Sequence, residues 1–291
     1  MLEGTLTALI TPFRDGEVDE TALRGHVERQ IEAGVNGLVP CGSTGESATL
    51  SYNEHHRVIE ITIDASAGRV PVIAGTGSNS TREAIDFTLH AKHAGADGAL
   101  LLSPYYNKPT QEGIYQHYSA VARETALPLV VYNIPGRTAS NLSPETIGRL
   151  ARIENIIGVK ESSGDLDQIA HIVARCPDDF CVVSGDDALT LPLLSVGGKG
   201  VISTTSNIAP DEVAELVHRF VSGDARGARE IHHRLLPLFD ALFCETNPIP
   251  VKAAAATLGW CEDEIRLPLT PITEPNLEHL KVVMKDLGIL R

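Results

Sequence analysis

Eight short apolar runs, each followed by a longer amphipathic segment, are the feature of this sequence that most restricts its fold. Each run is mostly apolar or β-branched and ends in Gly, Pro, Ser, Asn or Asp, which is typical of strands buried on both faces. The runs begin near Thr5, Val35, Val70, Gly98, Leu127, Ile156, Phe180 and Gly200. Because strand and helix alternate, the pattern predicts a parallel sheet covered by helices.

The segments between the runs carry signals for helix starts. Ser51 with Glu54, and Ser80 with Glu83, have the spacing of a capping box, in which the two side chains satisfy N–H groups of the first turn. Eight such strand–helix units predict an α/β fold, a (β/α)8 TIM barrel. An open doubly wound sheet is the alternative, but the first run ends in Thr-Pro-Phe rather than in the Gly-rich phosphate loop of that fold.

The strand pattern stops after about Ser222, and helical spacing of apolar residues replaces it up to the C-terminus. A length of 291 residues admits either one large domain or two smaller ones. We therefore expect a catalytic barrel over residues 1–222 and a C-terminal helical appendage over 223–291, packed on the barrel or at a subunit contact.

Composition excludes several classes of function. Lys and Arg number 24 against 38 Asp and Glu, and the formal charge of −14 argues against nucleic acid or an anionic membrane surface as the main partner. The five cysteines are odd in number and lack CxxC spacing, which favours reduced thiols over a disulfide framework or a structural zinc site.

No run reaches the roughly 18 apolar residues of a transmembrane helix, and no signal-peptide pattern is visible. We expect a cytoplasmic protein that uses no cofactor and no metal ion.

Lys160 is the first candidate for chemistry, because reactive groups of such barrels lie at the carboxyl ends of the strands. It follows the apolar run at Ile156, where a charged ammonium loses its hydration and its pKa falls. A free amine attacks a ketone carbon to give an imine, which withdraws electrons from the neighbouring carbon. The alternative is a structural lysine paired with Glu161 or Asp186.

Other candidates come from neighbouring strand ends and their loops. Tyr132 ends the preceding run, where a phenol can relay protons if a hydroxyl partner orients it, although a core tyrosine is the simpler interpretation. Ser43 and Thr44 offer hydroxyl and N–H groups that suit a carboxylate. Arg137 lies in the loop just after Tyr132, and its planar guanidinium can bind a carboxylate with two hydrogen bonds. The alternative is an arginine that is exposed to solvent in the loop and binds nothing.

Seven motifs, which together span essentially the whole chain, carry a resemblance to a known family. They are Gly42-Ser-Thr-Gly-Glu-Ser47, Tyr132-Asn-Ile-Pro-Gly-Arg-Thr138, Gly158-Val-Lys-Glu161, Ser184-Gly-Asp-Asp187, Gly200-Val-Ile-Ser203, Asn247-Pro-Ile-Pro-Val-Lys252 and Leu267-Pro-Leu-Thr-Pro271. The chain resembles the 4-hydroxy-tetrahydrodipicolinate (dihydrodipicolinate) synthase family, of the class I pyruvate-dependent lyase/aldolase superfamily. Arg137 is the mark of the synthase branch, since lyases of sialic acid and keto-deoxy sugars typically lack an arginine there.

The resemblance implies a lyase of lysine and diaminopimelate biosynthesis and a role for each matching residue. Lys160 would form a Schiff base with pyruvate, and the enamine would attack aspartate semialdehyde. Tyr132 would shuttle protons, linked to Thr44 and to Tyr106 of a neighbouring subunit. Arg137 would hold the semialdehyde carboxylate, and Thr44 with its loop would hold that of pyruvate. The remaining pocket residues would be Ser43, where many relatives have Thr, together with Gly185 and Ile202.

The resemblance also implies a homotetramer and, in many bacterial relatives, inhibition by lysine between subunits. The matching positions for lysine are Ala48, Tyr52, His55, Asn79, Glu83 and Tyr105. Tyr52 stands where some lysine-sensitive relatives have His. Two alternatives stay open from the sequence: an aldolase that cleaves a keto-deoxy sugar acid, and an inactive barrel that senses a keto acid.

Overall fold

The computed structural model describes residues 2–291 and confirms the predicted barrel. Its eight parallel strands lie in the order β2-β1-β8-β7-β6-β5-β4-β3, and a parallel bridge from Leu38 to Val72 closes the ring. The strands are β1 Gly4–Ala8, β2 Gly37–Val39, β3 Ile73–Gly75, β4 Gly98–Leu102, β5 Leu129–Asn133, β6 Ile156–Glu161, β7 Cys181–Ser184 and β8 Gly200–Ser203. Consecutive strands are neighbours, so their carboxyl ends meet at one face.

Helices surround the strands and form the C-terminal appendage, as the sequence predicts. They are α1 Glu20–Glu32, α2 Tyr52–Ser66, α3 Thr81–Ala94, α4 Gln111–Thr125, α5 Pro135–Thr138, α6 Pro144–Leu150, α7 Leu166–Arg175, α8 Thr190–Ser195, α9 Pro210–Val221, α10 Ala225–Ala241, α11 Ile249–Thr257 and α12 Glu274–Asp286. Within residues 2–291, none of them combines the length and the apolar character that crossing a bilayer requires.

The two predicted capping boxes differ in the structure. Ser51 and Glu54 satisfy each other's backbone N–H groups at the start of α2, which is the complete motif. At α3 the Ser80 hydroxyl accepts from the Glu83 N–H, but the Glu83 carboxylate accepts from the hydroxyls of Ser78 and Tyr52 instead. The second helix therefore begins where the spacing predicts, while its glutamate turns towards a neighbouring helix.

A two-stranded hairpin after β1 is absent from the sequence prediction. Phe13–Arg14 pairs with Glu17–Val18 in antiparallel fashion around Asp15 and Gly16, whose φ angles are 54° and 84°. Strands of two residues are too short to produce a visible alternation of apolar and polar residues.

The C-terminal helices share an apolar core with the barrel. One cluster contains Val201 of β8, Leu216 of α9, Leu238 of α10, Val251 of α11 and Leu280 of α12, all of them fully buried. A turn at Ser222 and Gly223 separates α9 from α10. The boundary at 222/223 stays a prediction, and the shared core leads us to propose that the two parts unfold together.

Replacing Leu238 by Ala tests this proposal. Removal of a fully buried leucine side chain leaves a cavity and is expected to lower the free energy of unfolding by about 2–5 kcal/mol. Urea unfolding would be followed by circular dichroism for the whole chain, and by the fluorescence of Trp260, the single tryptophan, which packs against the same cluster. Both signals should shift together.

Val282→Ala, at a side chain 54% exposed on α12, is the matched control and should change the free energy of unfolding by less than about 0.5 kcal/mol. A shift confined to the fluorescence would show instead that the appendage unfolds alone.

Candidate active site

Lys160 lies near the carboxyl end of β6 and is buried, with 5% of its surface exposed. Its register partner on β5 is Tyr132, and the Lys160 Nζ lies 4.5 Å from the centre of the tyrosine ring. Burial lowers the pKa of Lys160 to about 8, the Asp187 carboxylate opposes this shift, and the Arg137 guanidinium adds to it. More of the amine is therefore unprotonated at neutral pH than in an ordinary lysine.

The carboxylates that might have paired with Lys160 are engaged elsewhere. Glu161 accepts a hydrogen bond from Asn133 Nδ2 at 2.9 Å, and Asp186 accepts one from the Ala188 N–H at 3.0 Å. Across residues 2–291, no ion pair or hydrogen bond reaches the Lys160 amine. A buried amine without a counter-ion suits a nucleophile better than a structural lysine.

Tyr132 is buried beside this amine, with 6% of its surface exposed. Burial raises the pKa of its phenol to about 12, against the effect of the Ser162 hydroxyl and of Arg137, which both lower it. At neutral pH the phenol therefore keeps its proton and can donate it as a general acid.

Gly185, which follows β7, lies so close to these groups that only glycine fits. A Cβ atom at this position would come within 1.9 Å of Ser162 Oγ and 2.6 Å of Lys160 Cε. Any side chain would displace the lysine, so the close approach of the backbone gives a physical reason for glycine here.

Thr44 is buried in the loop after β2, and its hydroxyl contacts residues from other parts of the chain. It accepts a hydrogen bond from Asn247 Nδ2 at 3.0 Å and lies 3.3 Å from the Thr204 hydroxyl. In the chain as described from residue 2 onward, no hydrogen bond joins Thr44 to Tyr132 or Tyr106. The relay implied by the resemblance therefore stays a prediction.

Arg137 projects from the short helix α5 directly after Tyr132. Its Nη2 donates to the Asn247 carbonyl at 3.0 Å, and its side chain lines the cavity above Lys160. One hydrogen bond leaves the guanidinium with further N–H donors for an anionic group. The loop arginine is thus held in place and directed into the site.

A cavity of about 40 Å³ brings most of the predicted residues together. It is lined by Ala8, Val39, Gly42, Ser43, Thr44, Leu100, Tyr132, Ile134, Arg137, Lys160, Gly185, Thr204, Phe243 and Asn247. The side chain of Ile202 lies instead within the apolar interior of the barrel. Tyr106 lies outside the cavity, 88% exposed, and its φ of 71° is uncommon for a residue with a side chain.

The residues matched to lysine binding lie in a larger cleft of about 490 Å³ beside this cavity. The cleft is lined by Ala48, Tyr52, His55, Glu83 and Tyr105, and it shares Ser43, Arg137 and Asn247 with the smaller cavity. Asn79 lies next to it and donates to the Tyr105 carbonyl at 3.2 Å. Hydrogen bonds from Ser78 and Tyr52 lower the pKa of Glu83, so its carboxylate stays negative.

Sequence reasoning missed several residues that shape the site. Asn247, Thr204 and Phe243 line the cavity, and Asn247 begins the motif Asn247-Pro-Ile-Pro-Val-Lys252. Asp187 is buried and accepts hydrogen bonds from the Ser203 hydroxyl and from the backbone N–H groups of Thr204 and Thr205. Apolar periodicity locates strands, but it carries no signal for such long-range contacts.

Comparison with known proteins gives a consistent result over the whole chain. The model of the dihydrodipicolinate synthetase family matches residues 1–287. A 4-hydroxy-tetrahydrodipicolinate synthase from Syntrophus aciditrophicus is 57% identical over 290 residues, with both chains fully covered. A dihydrodipicolinate synthase from Acinetobacter baumannii, solved in complex with pyruvate, has a TM-score of 0.98 and 46% identity, with both chains fully covered. One from Cyanidioschyzon merolae, with lysine bound, has a TM-score of 0.97 and 44% identity over 99% of each chain.

Proposed function

The chain belongs to the dihydrodipicolinate synthetase family, and from this premise we propose how its own residues carry out the family's reaction. The enzyme is a lyase of the class I aldolase type. It condenses pyruvate with L-aspartate 4-semialdehyde to 4-hydroxy-tetrahydrodipicolinate in the diaminopimelate and lysine pathway. The observation that carries the assignment of residues is the buried, unpaired amine of Lys160.

Lys160 forms and breaks the covalent bonds to the substrate. Its free amine attacks the keto carbon of pyruvate, and loss of one water gives an imine. Removal of a methyl proton gives an enamine, whose carbon attacks the semialdehyde carbonyl, and that oxygen takes up a proton to become the hydroxyl of the product. The amine of the semialdehyde then attacks the imine carbon, closes the ring and releases Lys160.

Tyr132 supplies and removes the protons of these steps, since the centre of its ring lies 4.5 Å from the Lys160 Nζ and its phenol keeps its proton at neutral pH. The two substrate carboxylates are held by different groups. Ser43 and Thr44, with the N–H groups of their loop, bind that of pyruvate, and Arg137 binds that of the semialdehyde. Gly185 leaves room for the Lys160 side chain that carries the intermediate. Ile202 contributes through its backbone.

Tyr106 acts from a second subunit in this proposal, and the enzyme is a homotetramer. Two observations support this assignment: 88% of the Tyr106 surface is exposed in the single chain, and its backbone has an uncommon left-handed conformation. Sedimentation velocity of the full chain at micromolar concentration decides between monomer, dimer and tetramer.

Lysine is a feedback inhibitor that binds in the larger cleft of this enzyme. The negative carboxylate of Glu83 suits the lysine ammonium, and the Asn79 amide suits its carboxylate. Ala48, Tyr52, His55 and Tyr105 complete the contacts. Isothermal titration with L-lysine tests this proposal.

The enzyme works in the cytoplasm in this proposal. All five cysteines are free thiols, two of them buried, which suits a reducing compartment. Fractionation of the source cells with an antibody to the protein tests the location.

Borohydride reduction in the presence of pyruvate tests the role of Lys160. A stable adduct should form on Lys160, and its initial rate should rise with pH up to about pH 8 and then level off, because the amine loses its proton around this pH. Peptide mass spectrometry locates the adduct. Lys281, a half-buried lysine paired with Glu278, should remain unmodified. An adduct on another lysine, or a rate that rises up to the ordinary lysine pKa, would contradict the assignment.

Arg137→Ala separates the synthase from an aldolase that acts on keto-deoxy sugar acids. The variant should lose about 10- to 100-fold in kcat/KM for the semialdehyde, since a charged hydrogen-bond pair is removed. Formation of the pyruvate adduct on Lys160 should persist. Turnover is measured by coupling to the reductase that consumes the product. Unchanged semialdehyde kinetics would overturn the role of Arg137.

A further inference from the structure

A buried ion pair joins the barrel to the C-terminal helices. Lys252 Nζ of α11 lies 2.5 Å from Glu46 Oε1, and each side chain is only 1% exposed. The two residues are separated by 206 positions in the sequence. Burial of two charges is costly unless their geometry is good, so a pair of this kind points to a specific task.

Glu46 belongs to the loop that carries Ser43 and Thr44. Its φ of 54° lies in the left-handed region, which residues with a side chain adopt only when their surroundings hold them there. Its carboxylate supplies such a hold, because Oε1 binds Lys252 and Oε2 accepts from the Arg266 N–H at 3.1 Å. Both contacts come from the appendage.

Lys252 has no part in the chemistry described above. Its Nζ lies 4.2 Å from the centre of the Phe13 ring, which adds a cation–π contact. Burial lowers the pKa of Lys252, whereas Glu46 raises it. Lys252 thus has the carboxylate partner that Lys160 lacks.

The same segment of the appendage reaches the substrate loop at a second point. Asn247, shortly before α11, donates to the Thr44 hydroxyl and accepts from Arg137. The C-terminal appendage therefore contacts the loop of residues 42–47 at two points. Asn247 binds the Thr44 hydroxyl, and Lys252 binds the Glu46 carboxylate.

We propose that Glu46 and Lys252 are positioning residues for pyruvate, and that their ion pair fixes the loop of residues 42–47 in the conformation that receives the pyruvate carboxylate. The inference rests on the proposed function, which assigns that carboxylate to Ser43 and Thr44. Neither residue of the pair lines the small cavity that contains Lys160. Their effect should therefore appear in pyruvate binding and not in the chemical steps.

Two variants test the proposal. Lys252→Met leaves the Glu46 charge buried without a partner, so it should lower the melting temperature and raise the KM for pyruvate. The double variant Glu46→Gln with Lys252→Met removes both charges and should recover most of the melting temperature. Its KM for pyruvate should stay about tenfold above that of the wild type, while kcat changes less than about twofold.

Lys281→Met is the matched control, since it breaks the exposed pair with Glu278 on α12 by the same substitution. It should change neither the melting temperature nor the KM for pyruvate. If the KM of the double variant recovers together with its melting temperature, the ion pair serves stability alone and the proposal is overturned. If the wild type with borohydride and pyruvate gives no adduct on Lys160, the proposed function fails and this inference with it. An adduct in the wild type with an unchanged KM in the double variant overturns this inference alone.

Discussion

An amine kept out of water without a counter-ion is the constraint on which the rest of this structure depends. The barrel buries Lys160 at a strand end, while Glu161 and Asp186 are engaged with Asn133 and with a backbone N–H. No ion-pair partner compensates for the hydration that the ammonium loses on burial. The pKa of Lys160 is therefore lowered towards neutral pH. Lys252 shows the opposite case in the same chain, since it is equally buried but paired with a carboxylate. Both lysines are buried, but Lys252 is paired with a carboxylate, whereas no ion pair among residues 2–291 includes Lys160.

The fold and the proximity of Lys160 to Tyr132 could be predicted from the sequence because both follow from local patterns. Apolar runs mark the strands, and the strand ends of a barrel converge, so Lys160 and Tyr132 are brought together by topology alone. The contacts of Asn247 with Thr44 could not be predicted, because no periodicity links residues 203 positions apart. The Phe13–Val18 hairpin was missed for a different reason, since its strands of two residues are too short to carry a pattern.

The two cavities are not independent, because they have walls in common. Ser43, Arg137 and Asn247 line both the small cavity above Lys160 and the larger cleft beside it. A molecule in the cleft therefore lies against side chains that the small cavity also needs. A displacement of Ser43, Arg137 or Asn247 by a molecule in the cleft would therefore also change the lining of the small cavity.

The distance in sequence between Glu46 and Lys252 also bears on how the enzyme is made. A ribosome adds about 5–20 residues per second, so the 206 residues that follow Glu46 take on the order of ten to forty seconds to appear. By then β8 has been synthesised and can pair with β1, while the substrate loop still lacks its cation. A nascent chain that stops short of residue 252 has every strand of the barrel and Lys160, but it lacks the lysine that pairs with Glu46. If the pair positions the loop as proposed, a chain that ends before residue 252 would contain the barrel but would not hold residues 42–47 in the conformation that receives pyruvate.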